Sequence, residues 1–495
     1  MWAVFVKRKA CPMSQSPAPA PEPRLFKGRA KVYPQSVHGT FRRLKWTILT
    51  VALAVYYLLP WLRWDRGPFA PKQFLLIDLA HRRFYLGPIE IWPQEFYYVA
   101  GLLVMAGIGL FLITSTVGRA WCGYACPQTV WTDLFMAVER VIEGDRNARM
   151  KLDRAPWGSE KIFKRLAVHL SWLIIAVATG GFFILYFADA PTLVKNLVAG
   201  DAPSVAYATV AVLTATTYVF GGLLREQVCT YMCPWPRIQS AMLDENSLIV
   251  TYKAWRGEPR TRGVKKAAQD GGKTGDCVDC NACVAVCPTG IDIRNGPQIG
   301  CITCALCIDA CNDIMGKLGR PRGLIDYTTE KRDRQEAAGE ALPPKWKSVV
   351  RPRTFVYTGV WALIGLAMLA SLLTRERLDL SISRQRNPLY VQLSDGSVRN
   401  GYTLKLLNME ARPRTFTLTL EGLPGAVMWD SHATESMAAP ALRITVGPDQ
   451  TEARQIYVRA APASLPEGTA DIRFIARAEG GAVAMQETRF DGPER

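Results

Sequence analysis

Two runs of cysteine carry the first chemical signal in this chain. Cys277, Cys280, Cys283 and Cys287 form C-x2-C-x2-C-x3-C, followed by Pro288, and Cys301, Cys304, Cys307 and Cys311 repeat the spacing. Three thiolates two residues apart wrap one face of a cuboidal iron–sulfur core in a tight loop. The fourth, after three residues, points away, and in two-cluster ferredoxins it ligates the other cluster. The spacing predicts two [4Fe–4S] clusters, one held by Cys277, Cys280, Cys283 and Cys311, the other by Cys301, Cys304, Cys307 and Cys287. A structural zinc site is the alternative, against which two matched runs of four weigh. Pro288 fixes the chain direction after Cys287, where the second run has Asn312. Such a pair moves electrons one at a time. No flavin or nicotinamide fingerprint accompanies it, because Gly107 and Gly109 lie inside an apolar stretch without strand–turn–helix context.

Two more motifs are informative. Cys122-Gly-Tyr-Ala-Cys126-Pro127 and Cys229-Thr-Tyr-Met-Cys233-Pro234-Trp235 are both C-x-x-x-C-P with tyrosine third, and each follows an apolar stretch. Arg119 precedes one and Arg225-Glu226 the other, so the unit reads as an internal repeat. On an α-helix residues four apart share a face. Each motif can then present two thiolates, and two motifs side by side make a four-sulfur site. Soft thiolates favour Cu(I), zinc or an iron–sulfur cluster. Met232 could add a thioether, and Arg119 and Arg225 could lower the thiol pKa values. Cys122, Cys126, Cys229 and Cys233 are therefore the candidate catalytic residues, as a copper or redox site. Structural helix-end cysteines are the plain alternative, and the proline after each second cysteine limits helical continuation. His38, His81, His169 and His432 are scattered and offer no facing pair for a membrane haem. His169, near the end of a span, is either a helper to a metal or an interface histidine.

Several units must position these groups, and 495 residues suffice for two to four. Stretches 46–62, 96–115, 166–187, 205–223 and 354–373 are nearly free of charge and approach the roughly 20 residues that cross a bilayer. The net charge of +17 comes with no nucleic-acid motif, and basic residues beside spans account for it better. Of 13 cysteines, twelve fall in the groups above, leaving Cys11 in a Pro/Ala/Ser-rich tail. An odd total with ferredoxin spacing argues against a disulfide framework and for reducing surroundings. The N-terminus lacks signal-peptide order. Residues 118–165 carry nine Lys/Arg and 224–353 carry twenty, whereas 188–204 has only Lys195. That bias puts both basic segments in the cytoplasm and the C-terminal part outside a bacterial inner membrane.

The expected organisation is a disordered basic cytoplasmic tail over 1–45; a four-span membrane domain over 46–223, with the C-x-x-x-C-P motifs at 122–127 and 229–234; a cytoplasmic insert over 224–353 with its ferredoxin-like part at about 270–320; a fifth span over 354–373; and a periplasmic unit over 380–495. In that last unit short runs of alternating apolar and polar residues lie between turn signals such as Asp395-Gly396 and Gly447-Pro448, which reads as a cysteine-free β-sandwich. The segment 63–95 either lies on the outer interface, anchored by Tyr85 and Trp92, or is an ordinary packed loop. The fold class is thus a multi-pass α-helical membrane protein with a bacterial-type two-cluster [4Fe–4S] ferredoxin-like insert and a C-terminal Ig-like β-sandwich.

With these motifs together, Trp121-Cys122-Gly123-Tyr124-Ala125-Cys126-Pro127-Gln128-Thr129-Val130-Trp131, Cys229 to Trp235, the double run from Cys277 and the sandwich, the chain resembles the cytochrome c oxidase accessory proteins of the CcoG family (FixG/RdxA-like membrane polyferredoxins) over nearly its whole length. The resemblance implies a part in assembling cbb-type cytochrome c oxidase, as a cupric reductase supplying Cu(I) for insertion. The ferredoxin cysteines would relay electrons, and Cys122, Cys126, Cys229 and Cys233 would bind or reduce copper or pass the electron on. Implied partners are oxidase subunits or assembly factors, membrane lipid, and a cytoplasmic or quinol electron donor. The competing readings are a generic membrane electron-transfer subunit of a respiratory reductase and a redox-sensing assembly scaffold without catalysis.

Overall fold

The computed structural model describes residues 31–68, 70–261, 274–342, 344–375, 378–410, 412–448, 450–465, 468–479 and 481–493. Five helices in it are long and apolar enough to cross a membrane: Thr40–Trp61, Pro93–Val117, Ser159–Tyr186, Ser204–Met232 and Pro352–Thr374. The second and fifth pack side by side, with Tyr98 Oη 2.9 Å from Ser371 Oγ and the Trp361 indole N–H donating to the Met105 carbonyl at 3.1 Å. Gly101 faces Met368 and Gly365 faces Met105 across that seam, where a Cβ would crowd the methionine side chains. Small residues at a seam let two helices approach closely in lipid.

The first span starts earlier than its hydropathy suggests, which corrects the reading of residues 31–45 as disordered tail. Residues 1–30, Cys11 included, lie outside the described residues. Ser36 N–H donates to Asp145 Oδ1 at 3.0 Å, Tyr33 hydroxyl to Asp153, and the helix begins at Thr40. Arg42 and Lys45, which look like solvated basic anchors, are 8% and 2% exposed and pair with Asp133 at 3.3 and 2.9 Å. The helix's first N–H groups are satisfied from outside. Asp309 accepts from Phe41 N at 3.3 Å and from Arg42 N at 2.8 Å. A carboxylate there works as a cap and meets the positive end of the helix dipole.

Residues 75–91 form a small antiparallel sheet of β1 (Leu75–Asp78), β2 (Arg83–Leu86) and β3 (Ile89–Ile91) in that order. Tyr85 and Trp92 are 3% and 5% exposed, with the Arg66 and Arg83 guanidinium groups over their rings at 5.2 and 3.8 Å. They are packed core of this sheet rather than interfacial anchors.

Between the fourth and fifth spans, β4 (Leu248–Tyr252) pairs antiparallel with β5 (Ile325–Thr329). Val250, Tyr252, Leu324 and Ile325 make one core with Ile308 and Met315 of helix Leu306–Lys317 and with Cys277, Cys283 and Cys311. The expected ferredoxin segment is therefore built onto a strand pair drawn from both sides of it. Of that segment, residues 270–273 lie outside the described residues.

After the fifth span come β6 (Leu378–Arg384), β7 (Val391–Gln392), β8 (Val398–Asn408), β9 (Arg414–Glu421), β10 (Val427–Asp430), β11 (Ala441–Val446), β12 (Gln450–Ala460), β13 (Thr469–Ala478) and β14 (Val483–Asp491). One sheet runs β10-β12-β8-β6 with β7 beside β8, and the other runs β11-β9-β13-β14. Alternate residues Tyr402, Leu404 and Leu406 face Phe416, Leu418, Phe474 and Ala476 in one buried core. The chain thus has an Ig-like sandwich.

Candidate functional site

The two cysteine runs fold as matched loops. Asp279 and Asn281 in the first, and Thr303 and Ala305 in the second, hold left-handed backbone at φ 47°, 57°, 56° and 58°. Each costs a non-glycine residue roughly 1–2 kcal/mol, so the surroundings must compensate. In the second run the gain is visible, because the backbone N–H of Thr303 points to the Cys301 sulfur and that of Leu306 to the Cys304 sulfur. Asn312, standing where the first run has proline, steadies the second exit by accepting from Gly323 N at 2.9 Å.

The loops bring the fourth cysteine of each run to the other group. Cys311 lies within electrostatic reach of Cys277, Cys280 and Cys283. Cys287 lies within reach of Cys301, Cys304 and Cys307. Cys283, Cys287, Cys301, Cys304 and Cys307 line one small cavity, walled otherwise mainly by isoleucine, leucine and valine. Burial pushes the Cys283 thiol up to about 11 and those of Cys304 and Cys311 up to about 12. As bare thiols these groups stay protonated at neutral pH, and iron must displace the protons. Four soft donors around each centre, no oxygen ligand among them, and N–H groups aimed at sulfur fit [4Fe–4S] clusters. Cys280 is the exposed member, while Cys304 and Cys311 are buried.

The membrane motifs differ from the expected α-helical pairs. Both are single π-turns, Trp121–Ala125 and Val228–Met232, closed by Cys126 N–H to the Trp121 carbonyl at 2.9 Å and Cys233 N–H to the Val228 carbonyl at 2.8 Å. Proline after each second cysteine, together with that cysteine's extended ψ of 129° or 126°, forbids continuing as an α-helix. The wider turn still keeps the two cysteines of each motif on one side, and π-turns recur at functional sites. All four sulfurs come together: Cys122 is within electrostatic reach of Cys126 and Cys233, and Cys229 of all three others. Met232, a possible fifth donor from its sequence, is 54% exposed.

The two arginines diverge. Arg225 pairs with both carboxylate oxygens of Glu139 and donates to the Gly222 carbonyl. Arg119 is 3% exposed, donates from Nη1 to the Ile299 carbonyl at 2.6 Å, and acts on Cys122, Cys229 and Cys301 alike. His169 is engaged with the Tyr218 hydroxyl at 2.8 Å and packs edge-on to Trp172, as an interface histidine does.

The first motif rests directly on the second ferredoxin loop. The Tyr124 hydroxyl donates to the Cys304 carbonyl at 3.2 Å, and Cys122 packs in one cluster with Ile302, Cys304 and Leu306. Beneath them helix Pro127–Glu143 carries three buried acids. Asp133 takes Arg42 and Lys45, Glu139 takes Arg149 and Arg225, and Glu143 takes Arg149 and Arg165. Desolvation alone would raise the Asp133 carboxyl, but Lys45 and Arg42 hold it below the usual range. Lys45 in turn is near enough to act on Cys304. Sequence reasoning missed Gly123, Asp133, Lys45 and Gln239. The acids at 133, 139 and 143 along one helix were a signal for the ion pairs, whereas nothing marked Gln239.

Comparison with known proteins places this architecture. A 4Fe-4S dicluster domain model matches residues 224–330, a 4Fe-4S binding domain model matches 99–143, and the Ig-like fold at the C-terminus of FixG matches 368–493. Nitrogen fixation protein FixG of Rhizobium meliloti is 57% identical over 488 residues, covering 94% of this chain and 91% of that protein. This chain belongs to the FixG family. Protein RdxA of Cereibacter sphaeroides is 50% identical over 474 residues, 94% of this chain and 98% of the relative. A crystal structure of a FixG-related protein from Vibrio parahaemolyticus covers 24% of this chain and 97% of that one, at 23% identity and a TM-score of 0.20. The FixG-family chain is thus a membrane iron–sulfur protein with two [4Fe–4S] clusters in its ferredoxin-like insert.

Proposed function

We propose that the chain reduces Cu(II) to Cu(I) for assembly of a cbb-type cytochrome c oxidase, with the ferredoxin insert in the bacterial cytoplasm and the sandwich in the periplasm. The observation that carries the reading is the seat of the Cys122 motif on the Cys304 loop, through Tyr124 and Gly123. It supplies a continuous path from the soluble sulfur groups to the membrane quartet.

When bound, the clusters supply one-electron transfer at potentials set by charge and hydrogen bonding. Each remaining role falls to the chain itself. Exposed Cys280 gives a cytoplasmic donor its approach, while Cys304 is buried at the membrane side. Lys45 and Arg119 place positive charge beside Cys304 and Cys301, which favours an added electron there. Cu(II) is the substrate. It meets the electron at the half-buried surface of Cys122, Cys126, Cys229 and Cys233, where soft sulfur favours the Cu(I) product. The positive-inside bias supports the orientation, as does the need for reduced thiols in the insert. The sandwich, on the opposite side, offers oxidase subunits or assembly factors a docking module.

The cellular test is complementation. In a strain lacking the chain, the wild type should restore copper content and activity of the cbb-type oxidase, and Cys283→Ser should not. Full restoration by Cys283→Ser would remove electron transfer from the account and favour a scaffold.

A further inference from the structure

Copper reduction needs an electron donor, and a cleft at the foot of the third and fourth spans has the chemistry to take one. Trp157, His169, Trp172, Gly222, Leu223 and Glu226 line it. Its lining cations all have partners. Lys31 pairs with Asp153 at 2.6 Å, Arg165 with Asp153 and with Glu143 at 2.8 Å, and Arg225 with Glu139. Lys161 Nζ donates to the Asp153 and Ala155 carbonyls at 2.9 and 2.6 Å. A phosphate or carboxylate therefore finds no uncommitted cation there.

Two lining groups keep spare capacity, and both accept protons. His169 Nδ1 lies 2.8 Å from the Tyr218 hydroxyl oxygen. In the tautomer that donates Nδ1–H to that oxygen, Nε2 is a bare acceptor. Glu226 makes no hydrogen bond or ion pair among the described residues. His169 belongs to the span Ser159–Tyr186 and Glu226 to the span Ser204–Met232. Ionisable groups at membrane depth are costly, and they mark functional paths. The fourth span also widens into a π-turn at Tyr218–Leu224, just before Arg225 and Glu226, and such turns recur at functional sites.

The walls select the body of the ligand. Trp157 is 74% exposed, and Trp172 is fixed by stacking on Phe135 at 5.6 Å. Indole walls suit a flat ring. Leu223 at the rim and the neighbouring Leu166 and Leu170 are exposed, so the cleft opens toward lipid. A flat ring with two hydroxyl donors and an apolar tail is a quinol.

The cleft also adjoins both groups of sulfur ligands. Glu226 is three residues from Cys229. Val32 lines the cleft and packs on Gly290, where a Cβ would stand 2.8 Å from it. Gly290 N–H in turn donates to the Cys287 carbonyl at 3.2 Å.

We propose that this cleft binds a membrane quinol and is where electrons enter the chain, with His169 and Glu226 as the proton acceptors. The proposal rests on the electron-transfer reading above and names its donor. Oxidation breaks both quinol O–H bonds. One proton goes to His169 Nε2 and one to Glu226. Two electrons leave one at a time and reduce two Cu(II) to two Cu(I), and quinone is released.

The test runs the exchange in reverse, without copper. Full-length protein in detergent is reduced anaerobically, freed of reductant and mixed with decylubiquinone, while cluster absorbance is followed by stopped flow. The wild-type rate should saturate with quinone. His169→Phe and Glu226→Gln, at full iron content, should slow it by about tenfold or more. Trp157→Ala, at an exposed side chain that folding does not need, should raise the half-saturating quinone concentration by about threefold or more. A photoactivatable azidoquinone should label wild-type peptides containing Trp157 or Glu226, a readout independent of the clusters. A wild-type reaction that never saturates, labelling elsewhere, or kinetics unchanged in all three variants overturns the proposal and returns electron entry to a soluble donor at Cys280. Copper reduction is judged separately, by adding Cu(II) to the same chemically reduced protein. A saturable quinone reaction in a chain that ignores Cu(II) keeps the quinol site and sinks copper as the acceptor.

Discussion

Gly123 lies against the backbone of Cys304: a Cβ at Gly123 would stand 3.1 Å from the Cys304 Cα and N and 2.7 Å from the Ile302 carbonyl oxygen. Backbone on both sides leaves no flexible side chain to yield. Gly123→Ala should therefore lift the membrane motif off the ferredoxin loop, at about 1–3 kcal/mol, the usual cost of overpacking. Both ferredoxin clusters should remain, while reoxidation of the reduced protein by Cu(II) slows. Stopped-flow absorbance measures it. An unchanged rate in a variant with full iron would show that electrons leave elsewhere.

The interlaced cysteines make a paired prediction. Cys311 belongs in space with Cys277, Cys280 and Cys283, and Cys287 with Cys301, Cys304 and Cys307. Cys311→Ser should weaken the cluster with the exposed ligand Cys280, and Cys287→Ser the one beside the membrane motif. Each should lose about four irons, and different resonance signals should disappear. The same signal lost in both variants would contradict the grouping.

Much of this was legible in the sequence because cysteine spacing is a local code. Three thiols two residues apart can wrap only one way around a cluster, and five apolar stretches of adequate length must become spans. The strands β8, β9, β11, β12, β13 and β14 announce themselves by alternation, whereas β6 directly follows the fifth span and β10 is only four residues long. What stayed hidden depends on partners distant in sequence. Lys45 reads as a solvated anchor until Asp133, 88 positions on, neutralises it. Asp309 is an ordinary helical acid until it caps a span 267 residues away. The C-x-x-x-C-P pairs look α-helical by spacing, and only the π-turn hydrogen bonds Cys126 to Trp121 and Cys233 to Val228 reveal otherwise.

Asp133 should be the most sensitive link between the first span and helix Pro127–Glu143. Asp133→Asn strands Lys45, which is 2% exposed, without its counter-ion. Breaking a buried pair on one side costs about 3–5 kcal/mol. The thermal midpoint in detergent should fall clearly, and Lys45→Met added to Asp133→Asn should recover much of the loss. No recovery in the double variant would mean that Arg42, not Lys45, is the dominant partner.

Asp244 clamps the foot of the fifth span, accepting from Arg351 at 2.7 and 2.8 Å and from Arg353 at 2.9 Å. Desolvation pushes its carboxyl up, but the bonds from Arg351 and Ser247 and the Arg351 charge outweigh it and hold the group at about 2. The folded value lies below the unfolded one, near 3.8. The clamp's contribution is therefore complete above about pH 4 and lost as pH falls toward about 2. Tryptophan fluorescence of the detergent-solubilised chain should show no change from this group between pH 7 and about 4.5, and Asp244→Asn should lower stability at pH 7 while flattening the acid limb below about 4. An equally steep acid limb in Asp244→Asn would assign the transition to other carboxylates.

The most direct measurement takes the anaerobic, fully reduced protein in detergent and adds Cu(II) while following cluster absorbance and Cu(I) formation with a Cu(I)-specific chelator. Cluster oxidation should be matched one for one by Cu(I), and should be lost or strongly slowed when Cys122 and Cys229 are replaced by serine in protein that keeps its two ferredoxin clusters. Reduced clusters that ignore Cu(II) in protein of full iron content would contradict copper reduction and leave the chain as an electron carrier for some other acceptor.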